Sequence, residues 1–293
     1  MKQANQWSDS EKQQVVAFLT EIFQEHAFIT PEQIGELFYQ SIYLEGETYL
    51  ASFEQGQVTA IAAMIVEAIE RDGIVYFSTC YCKSGKEEAL KKLMLALENQ
   101  GRHWGAKVSK VGLRKENSHL AEMFLPQLEY SPVYRIVQMG KEVQVSAPLP
   151  DGFSSKLASS ESLADFVDLH NLAFRNSPNG SQMLMGEAEE NLERQNKGEA
   201  KLGFLQYHQE PVGTYLLSKE KGLLWVDAVT INPEHQGKGW GKILIQAAEQ
   251  EALAMASQVH LLVVDANQAA FRLYQRTGFL EEKVYSEWFE KSL

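Results

Sequence analysis

The run Gln236-Gly237-Lys238-Gly239-Trp240-Gly241-Lys242 sets three glycines, two lysines and an amide side chain between a strand-like and a helix-like stretch. Before it, Leu223 to Ile231 is apolar and β-branched, and Asn232-Pro233 breaks the pattern. After it, Ile243 to Glu249 consists of residues that continue a helix. A helix that starts inside a glycine turn leaves its first N–H groups without internal partners, and the positive end of its dipole points outward there. Glycine lets an anion approach the main chain without meeting a Cβ. The run therefore reads as a pyrophosphate cradle, although an ordinary glycine-rich turn uses the same residues.

Spacing separates the phosphate loops that compete for this run. A triphosphate loop needs G-x-x-x-x-G-K-[ST], but Ile243 follows Lys242 and no hydroxyl stands ready for magnesium. A dinucleotide loop needs G-x-G-x-x-G, and the run supplies G-x-G-x-G. What remains is Q-x-x-G-x-G at Gln236, Gly239 and Gly241. Further on, Val259 to Val264 reads as a strand, and Asn267 to Phe279 as a short helix with Gly278 as its cap. The pair of motifs, Val229-x-x-Asn232-Pro233-x-x-Gln236-x-x-Gly239-x-Gly241 and Asn267-x-x-Ala270-x-x-Leu273-Tyr274-x-x-x-Gly278-Phe279, resembles the GNAT superfamily of acyl-CoA-dependent N-acyltransferases. The resemblance spans roughly residues 153–290.

The resemblance implies an α+β fold, a mixed and mostly antiparallel sheet flanked by helices, with acetyl-CoA as co-substrate and no metal. It assigns main-chain pairing with the pantetheine arm to Val229, Thr230 and Ile231, and the pyrophosphate to Gln236, Gly237, Lys238, Gly239, Trp240, Gly241 and Lys242. Asn267 matches a position that contacts the cofactor, and Tyr274 matches the tyrosine that protonates the departing thiolate. A core tyrosine with a satisfied hydroxyl is the plainer reading of Tyr274. The implied reaction moves an acetyl group to a primary amine of a small molecule, amino acid or peptide N-terminus by direct attack. The amine must first lose a proton, because alkylammonium groups are protonated near neutral pH. Asp227 is the candidate base, and two-residue alternation sets it on the same face as Val229 and Ile231. Trp225 stands where many relatives have a carboxylate, and Leu262 where some protein-acetylating relatives have a glutamate. A non-catalytic CoA-binding sensor is the alternative.

The chain has 293 residues, enough for two domains. Gly140 to Gly152 holds two prolines between apolar stretches, which gives an upstream copy at 1–140, a linker at 141–152 and a catalytic copy at 153–293. Upstream, Thr48 to Glu54, Gln57 to Val66 and Gly73 to Cys82 read as strands, Lys86 to Gln100 as a helix and Val108 to Leu113 as a strand. Downstream, Leu202 to Tyr207, Pro211 to Ser218, Gly222 to Ile231, the loop helix and Val259 to Val264 repeat that order. The fold expected is two tandem GNAT-like domains. The upstream copy has one glycine in Cys82-Lys83-Ser84-Gly85-Lys86, and counting seven residues from Asn117 reaches Phe124 where the downstream count from Asn267 reaches Tyr274. It is read as degenerate, shaping the cleft, stiffening the active half or holding a regulatory ligand.

A net charge of −12 without a basic, aromatic-laced patch argues against a nucleic-acid partner and suits a cationic acceptor. No leader or run of membrane length is evident, so a cytoplasmic monomer or homodimer without a membrane partner is expected. Cys80 and Cys82 are read as pointing to opposite faces of a strand, giving neither a disulfide nor a zinc site. His170 and His235 are read as surface or capping residues. The stretch Phe166 to Glu193, with the turn-rich Phe174 to Ser181, is the expected acceptor wall, or else a surface loop.

Overall fold

A computed structural model describes residues 1–23, 30–114, 120, 122, 124–145, 147–175 and 182–293. Asn117 and residues 176–181 of the expected acceptor wall lie outside the described residues. Packing divides the chain into two units, Met1–Tyr134 with Ser286–Leu293, and Arg135–Tyr285.

Unit 1 contains β1 (Lys2–Gln3), α1 (Asp9–Phe23), α2 (Pro31–Leu37), β2 (Tyr49–Glu54), β3 (Gln57–Ile65), β4 (Ile74–Cys82), α3 (Glu87–His103) and β5 (Val108–Leu113). Gln55 and Gly56 both take positive φ and close the β2–β3 hairpin, the backbone twist that two-residue hairpin loops need. β3 and β4 run antiparallel, and α3 carries the chain over to the parallel β5. On α3, Leu90, Leu93, Met94, Leu97 and Gly101 form one buried stripe at helical spacing. The stripe covers Ala60, Ala62, Met64, Val75, Phe77 and Val111 on one sheet face. Trp7, Val15, Leu19, Ile34 and Phe38 pack on the other face with Tyr49, Ile61 and Ala63. The sheet is completed by a distant segment, Glu287 to Ser292, which pairs antiparallel with Leu113 to Val108 of β5.

Unit 2 contains most of β6 (Ser131–Glu142), then β7 (Phe153–Leu157), α4 (Leu163–Phe174), α5 (Met185–Asn196), β8 (Ala200–Tyr207), β9 (Glu210–Glu220), β10 (Leu223–Ile231), α6 (Trp240–Ala252), β11 (Gln258–Val264), α7 (Gln268–Arg276) and the start of β12 (Leu280–Ser292). From β7 to β10 neighbours are antiparallel, β10 and β11 are parallel, and β6 pairs antiparallel with β11. Leu244, Ile245 and Ala248 of α6 cover one face, while Phe166, Val167 and Ala188 of α4 and α5 cover the other. Both units are thus mixed α/β with mostly antiparallel sheets and repeat one element order in tandem. Each borrows a strand from beyond its own stretch of sequence: β6 follows the unit 1 elements yet pairs in unit 2, and the end of β12 does the reverse.

Three readings change here. Gly140, Lys141 and Glu142 belong to a strand paired with His260, Val259 and Gln258, whereas composition suggested that the linker starts there. Gly140 leaves room for the Glu282 carboxylate, which accepts from Gln138 at 2.7 Å. Cys80 and Cys82 are free thiols that both pack with the cluster under α3, because residues two apart on a strand share a face. His170 is 5 % exposed rather than a surface residue.

Candidate active site

Two backbone irregularities on β10 create the candidate site. The β9–β10 register shifts between Val226 and Ala228, so Asp227 is an extra residue, a β-bulge. The parallel pairing of β10 with β11 ends at Val226–Leu261, although both strands continue. Val229, Thr230 and Ile231 therefore keep their hydrogen bonding to β9 and present an edge unpaired with β11. The Thr230 hydroxyl is committed to Thr214 at 2.7 Å, so the main chain is what this residue offers.

The bulge also corrects the expected alternation. Leu224 and Val226 pack with α6, Ala228 packs with Phe166 and Leu202, and Val229 and Ile231 return to the α6 side. Asp227 is on the face opposite Val229 and Ile231, where Ser218 hydrogen-bonds it and Arg194 and Glu187 of α5 act on its charge. Asp227 is solvent-accessible, yet enough protein surrounds the carboxyl to raise its pKa to about 6. Desolvation is the main cause; the Ser218 hydrogen bond opposes it and Glu220 adds repulsion. Ser218, Arg194 and Glu187 are neighbours that the sequence reading missed. Ser218 is reachable from sequence only if the β9–β10 register is known.

The glycine run divides into distinct tasks. Gly237 and Gly239 have φ of +76° and +80° with open space where a Cβ would stand, and Gly239 is the N-cap of α6. Gly241 serves packing instead, since its Cβ would meet Leu273 of α7 at 3.0 Å. The Gln236 amide donates to the Ile231 carbonyl at 3.0 Å and ties the loop to the end of β10. Trp240 is held among Phe153, Tyr207 and His235, with ring centroids 5.2, 5.0 and 4.7 Å away. The Lys238 ammonium lies over the Trp240 ring and 3.2 Å from His235 Nδ1. Lys242 is exposed, and the first turn of α6 has no acidic residue. These features fit an incoming anion: helix N–H groups without a side-chain cap, two lysines nearby and no carboxylate in the first turn. Gly239→Val is expected to force a β-branched residue to positive φ, at a cost of about 1–3 kcal/mol, and to raise the acetyl-CoA Kd about tenfold or more by calorimetry. An unchanged Kd would remove the cradle role from this loop.

On α7, the Asn267 side chain accepts from Ala270 N–H at 3.2 Å as the helix N-cap, so its carbonyl oxygen has a structural task. Tyr274 is 9 % exposed and packs edge-on against Phe279 at 5.8 Å. Burial pushes its phenol up to about 12, so it holds its proton throughout the physiological range. On the α4 side, Asn171 grips the Met183 main chain with both amide atoms, at 2.8 and 3.0 Å. His170, between the Phe166 and Phe174 rings, has a buried Nδ1 without a partner among the described residues, and burial lowers its pKa to about 4. Among the described residues no grouping of three His, Cys, Asp or Glu could hold a metal, and no helix is long and apolar enough to cross a membrane.

Residues 165–279 match the family model described as Acetyltransferase (GNAT) family. A stretch of 80 residues, 27 % of this chain, is 35 % identical to the spermine/spermidine N(1)-acetyltransferase of Bacillus subtilis strain 168. The match spans 51 % of that relative, so the chain covers about half the length of the curated relatives it matches. A GCN5-related N-acetyltransferase from Sphaerobacter thermophilus superposes with a TM-score of 0.65 at 17 % identity, covering 98 % of this chain and 94 % of that one. A tandem GNAT protein from the clavulanic acid biosynthesis pathway gives 0.62 at 13 % identity, covering 99 % and 97 %. These two show the fold. The matched residues 165–279 carry the bulge, the parted strand, the glycine loop and Tyr274, so the part of the chain that is similar to the acetyltransferase (GNAT) family is the part that builds the candidate site.

Proposed function

We propose that unit 2 is an acetyl-CoA-dependent N-acetyltransferase acting in the cytoplasm on a small primary amine, and that residues 1–140 supply a degenerate, non-catalytic copy. The observation that carries this reading is the coincidence at one point of β10 of three features: the bulged Asp227, the end of parallel pairing, and the approach to a glycine-capped helix. Acetyl-CoA, when bound, supplies a thioester carbonyl to an attacking amine. The unpaired edge of Val229 to Ile231 holds the amide arm, and the α6 N-terminus with Lys238 and Lys242 takes the pyrophosphate. Asp227 accepts the proton of the incoming ammonium. With a pKa near 6 it is ionised at neutral pH while remaining a stronger base than an ordinary aspartate. Tyr274 returns a proton to the leaving thiolate.

Around Asp227 two carboxylates, Glu220 and Glu187, stand against one cation, Arg194, a balance that favours a cationic acceptor. Polyamines lead the panel because the half-length curated relatives are spermine and spermidine acetyltransferases. A thiol-release assay across polyamines, amino acids and short peptides tests the reading; acetyl-CoA binding without CoA release for any amine would favour a sensor and sink it. Asp227→Asn is expected to lower kcat on the order of 10²-fold. In the wild type kcat/KM should fall as pH drops through about 6, where Asp227 gains its proton, and the variant should lose that limb. A limb that persists in the variant would assign the base elsewhere. The raised pKa also means that the folded chain binds this proton more tightly than the unfolded chain. Asp227 therefore loses stability for the fold as pH rises between about 4 and 6, and Asp227→Asn should raise Tm above pH 6.

A further inference from the structure

Unit 1 keeps the backbone features of the site while changing its anion end. The β3–β4 register shifts between Ala63 and Met64, leaving Ser78 as the extra residue on β4, as Asp227 is on β10. Parallel pairing of β4 with β5 stops at Phe77–Val111, yet β4 runs on to Cys82. Beyond that last pair lies a cavity of about 430 Å³, with Phe18, Ile22 and Leu120 as apolar wall, Glu21 beside them on α1, and Tyr81, Cys82, Lys83 and Ser84 at the end of β4. Its volume falls within the range of small-molecule sites.

The helix that follows is already supplied with an anion. Gly85 has φ +75° and open space at its Cβ, so the loop backbone suits phosphate approach. However, Glu87 Oε1 accepts the Gly85 N–H at 3.1 Å, and Glu87 and Glu88 both stand in the first turn of α3. Lys86, the adjacent cation, is held by Glu54 at 2.5 Å. A carboxylate at this N-terminus satisfies the donor and the dipole together and repels a polyphosphate.

We propose that the unit 1 cavity is a second binding site, for an extended chain of linked amides without phosphate, and that Glu87 excludes coenzyme A from it. The parted strand provides an edge of main-chain donors and acceptors that matches amides, the apolar wall accepts their methylenes, and the pantetheine arm and a short peptide share this chemistry. The proposal rests on unit 1 alone and not on the transferase reading of unit 2.

Cys82 reports on the site because it lines the cavity, whereas Cys80 is buried in the core. Burial pushes the Cys82 thiol up to about 11, so alkylation of the full chain is run at about pH 9 and followed by mass spectrometry. The probes are S-methylpantetheine, trialanine and S-methyl-CoA. At ten times its Kd, a probe that fills the site should slow Cys82 labelling about tenfold. The expected result is protection by S-methylpantetheine or trialanine, none by S-methyl-CoA, and gain of S-methyl-CoA protection in Glu87→Gln. The same pattern in Gly239→Val would show that it does not depend on the unit 2 loop. Failure of every probe overturns the site. Protection of the wild type by S-methyl-CoA, or no gain in Glu87→Gln, overturns the exclusion.

Discussion

Tyr274→Phe is expected to lower turnover by about 10²–10⁴-fold, the usual loss when a positioned proton donor is removed, while leaving acetyl-CoA affinity nearly unchanged. The ring is fixed by the buried α7 interface and its edge-on contact with Phe279, and phenylalanine keeps both. Only the hydroxyl is lost. Burial pushes the phenol up to about 12, so the hydroxyl keeps its proton throughout the neutral range, and its own titration adds no basic limb below about pH 11. Steady-state thiol release together with calorimetric binding separates the two effects: a transition-state role lowers kcat and spares the Kd. Turnover close to that of the wild type would return Tyr274 to a packing role.

Lys291→Ala is expected to destabilise unit 1 by about 3–5 kcal/mol, the cost of leaving a buried charge without its partner. Lys291 Nζ lies 2.7 Å from Glu98 Oε2, and the side chains are 8 % and 0 % exposed. Tyr130 donates to the other Glu98 oxygen at 2.8 Å, and the ammonium lies over the Tyr130 ring, so the carboxylate depends on two groups. Replacing both charges by apolar residues of similar size, Glu98→Leu with Lys291→Met, should recover most of the loss, because such replacements are often neutral. Urea unfolding of the single and double variants measures this; a single variant with wild-type stability would mean that Glu98 finds water or another partner.

Much of this was readable from the sequence where information is local. Hairpins turned by Gln55-Gly56, the strand–loop–helix around Gly239 and the Gly278 cap each depend on a few adjacent residues. So did Tyr274, whose helical position follows from Asn267 and Gly278. The bulge at Asp227 was not readable. One extra residue leaves composition unchanged but reverses the facing of everything after it, which is why simple alternation puts Val229 and Ile231 on the face of Asp227 and the structure does not. The strand at Ser131–Glu142 was also missed, because its partner lies more than a hundred residues away at β11 and its Gly140 resembles a linker glycine until Glu282 is seen against it. Trp240 and Asn267 carry structural tasks, aromatic packing and helix capping, that the motif alone does not separate from cofactor contact.

The reciprocal exchange of β6 and the end of β12 bears on how the chain is made. At about 5–20 residues per second, synthesis takes about 9–35 s to go from Leu113 to Ser286. During that interval β5 emerges with one edge open, and Glu98 is formed long before its lysine. Unit 1 must therefore remain incomplete on the ribosome until unit 2 has been made, and a stop codon placed between the units would release a fragment with an exposed strand edge and with Glu98 left to Tyr130 alone.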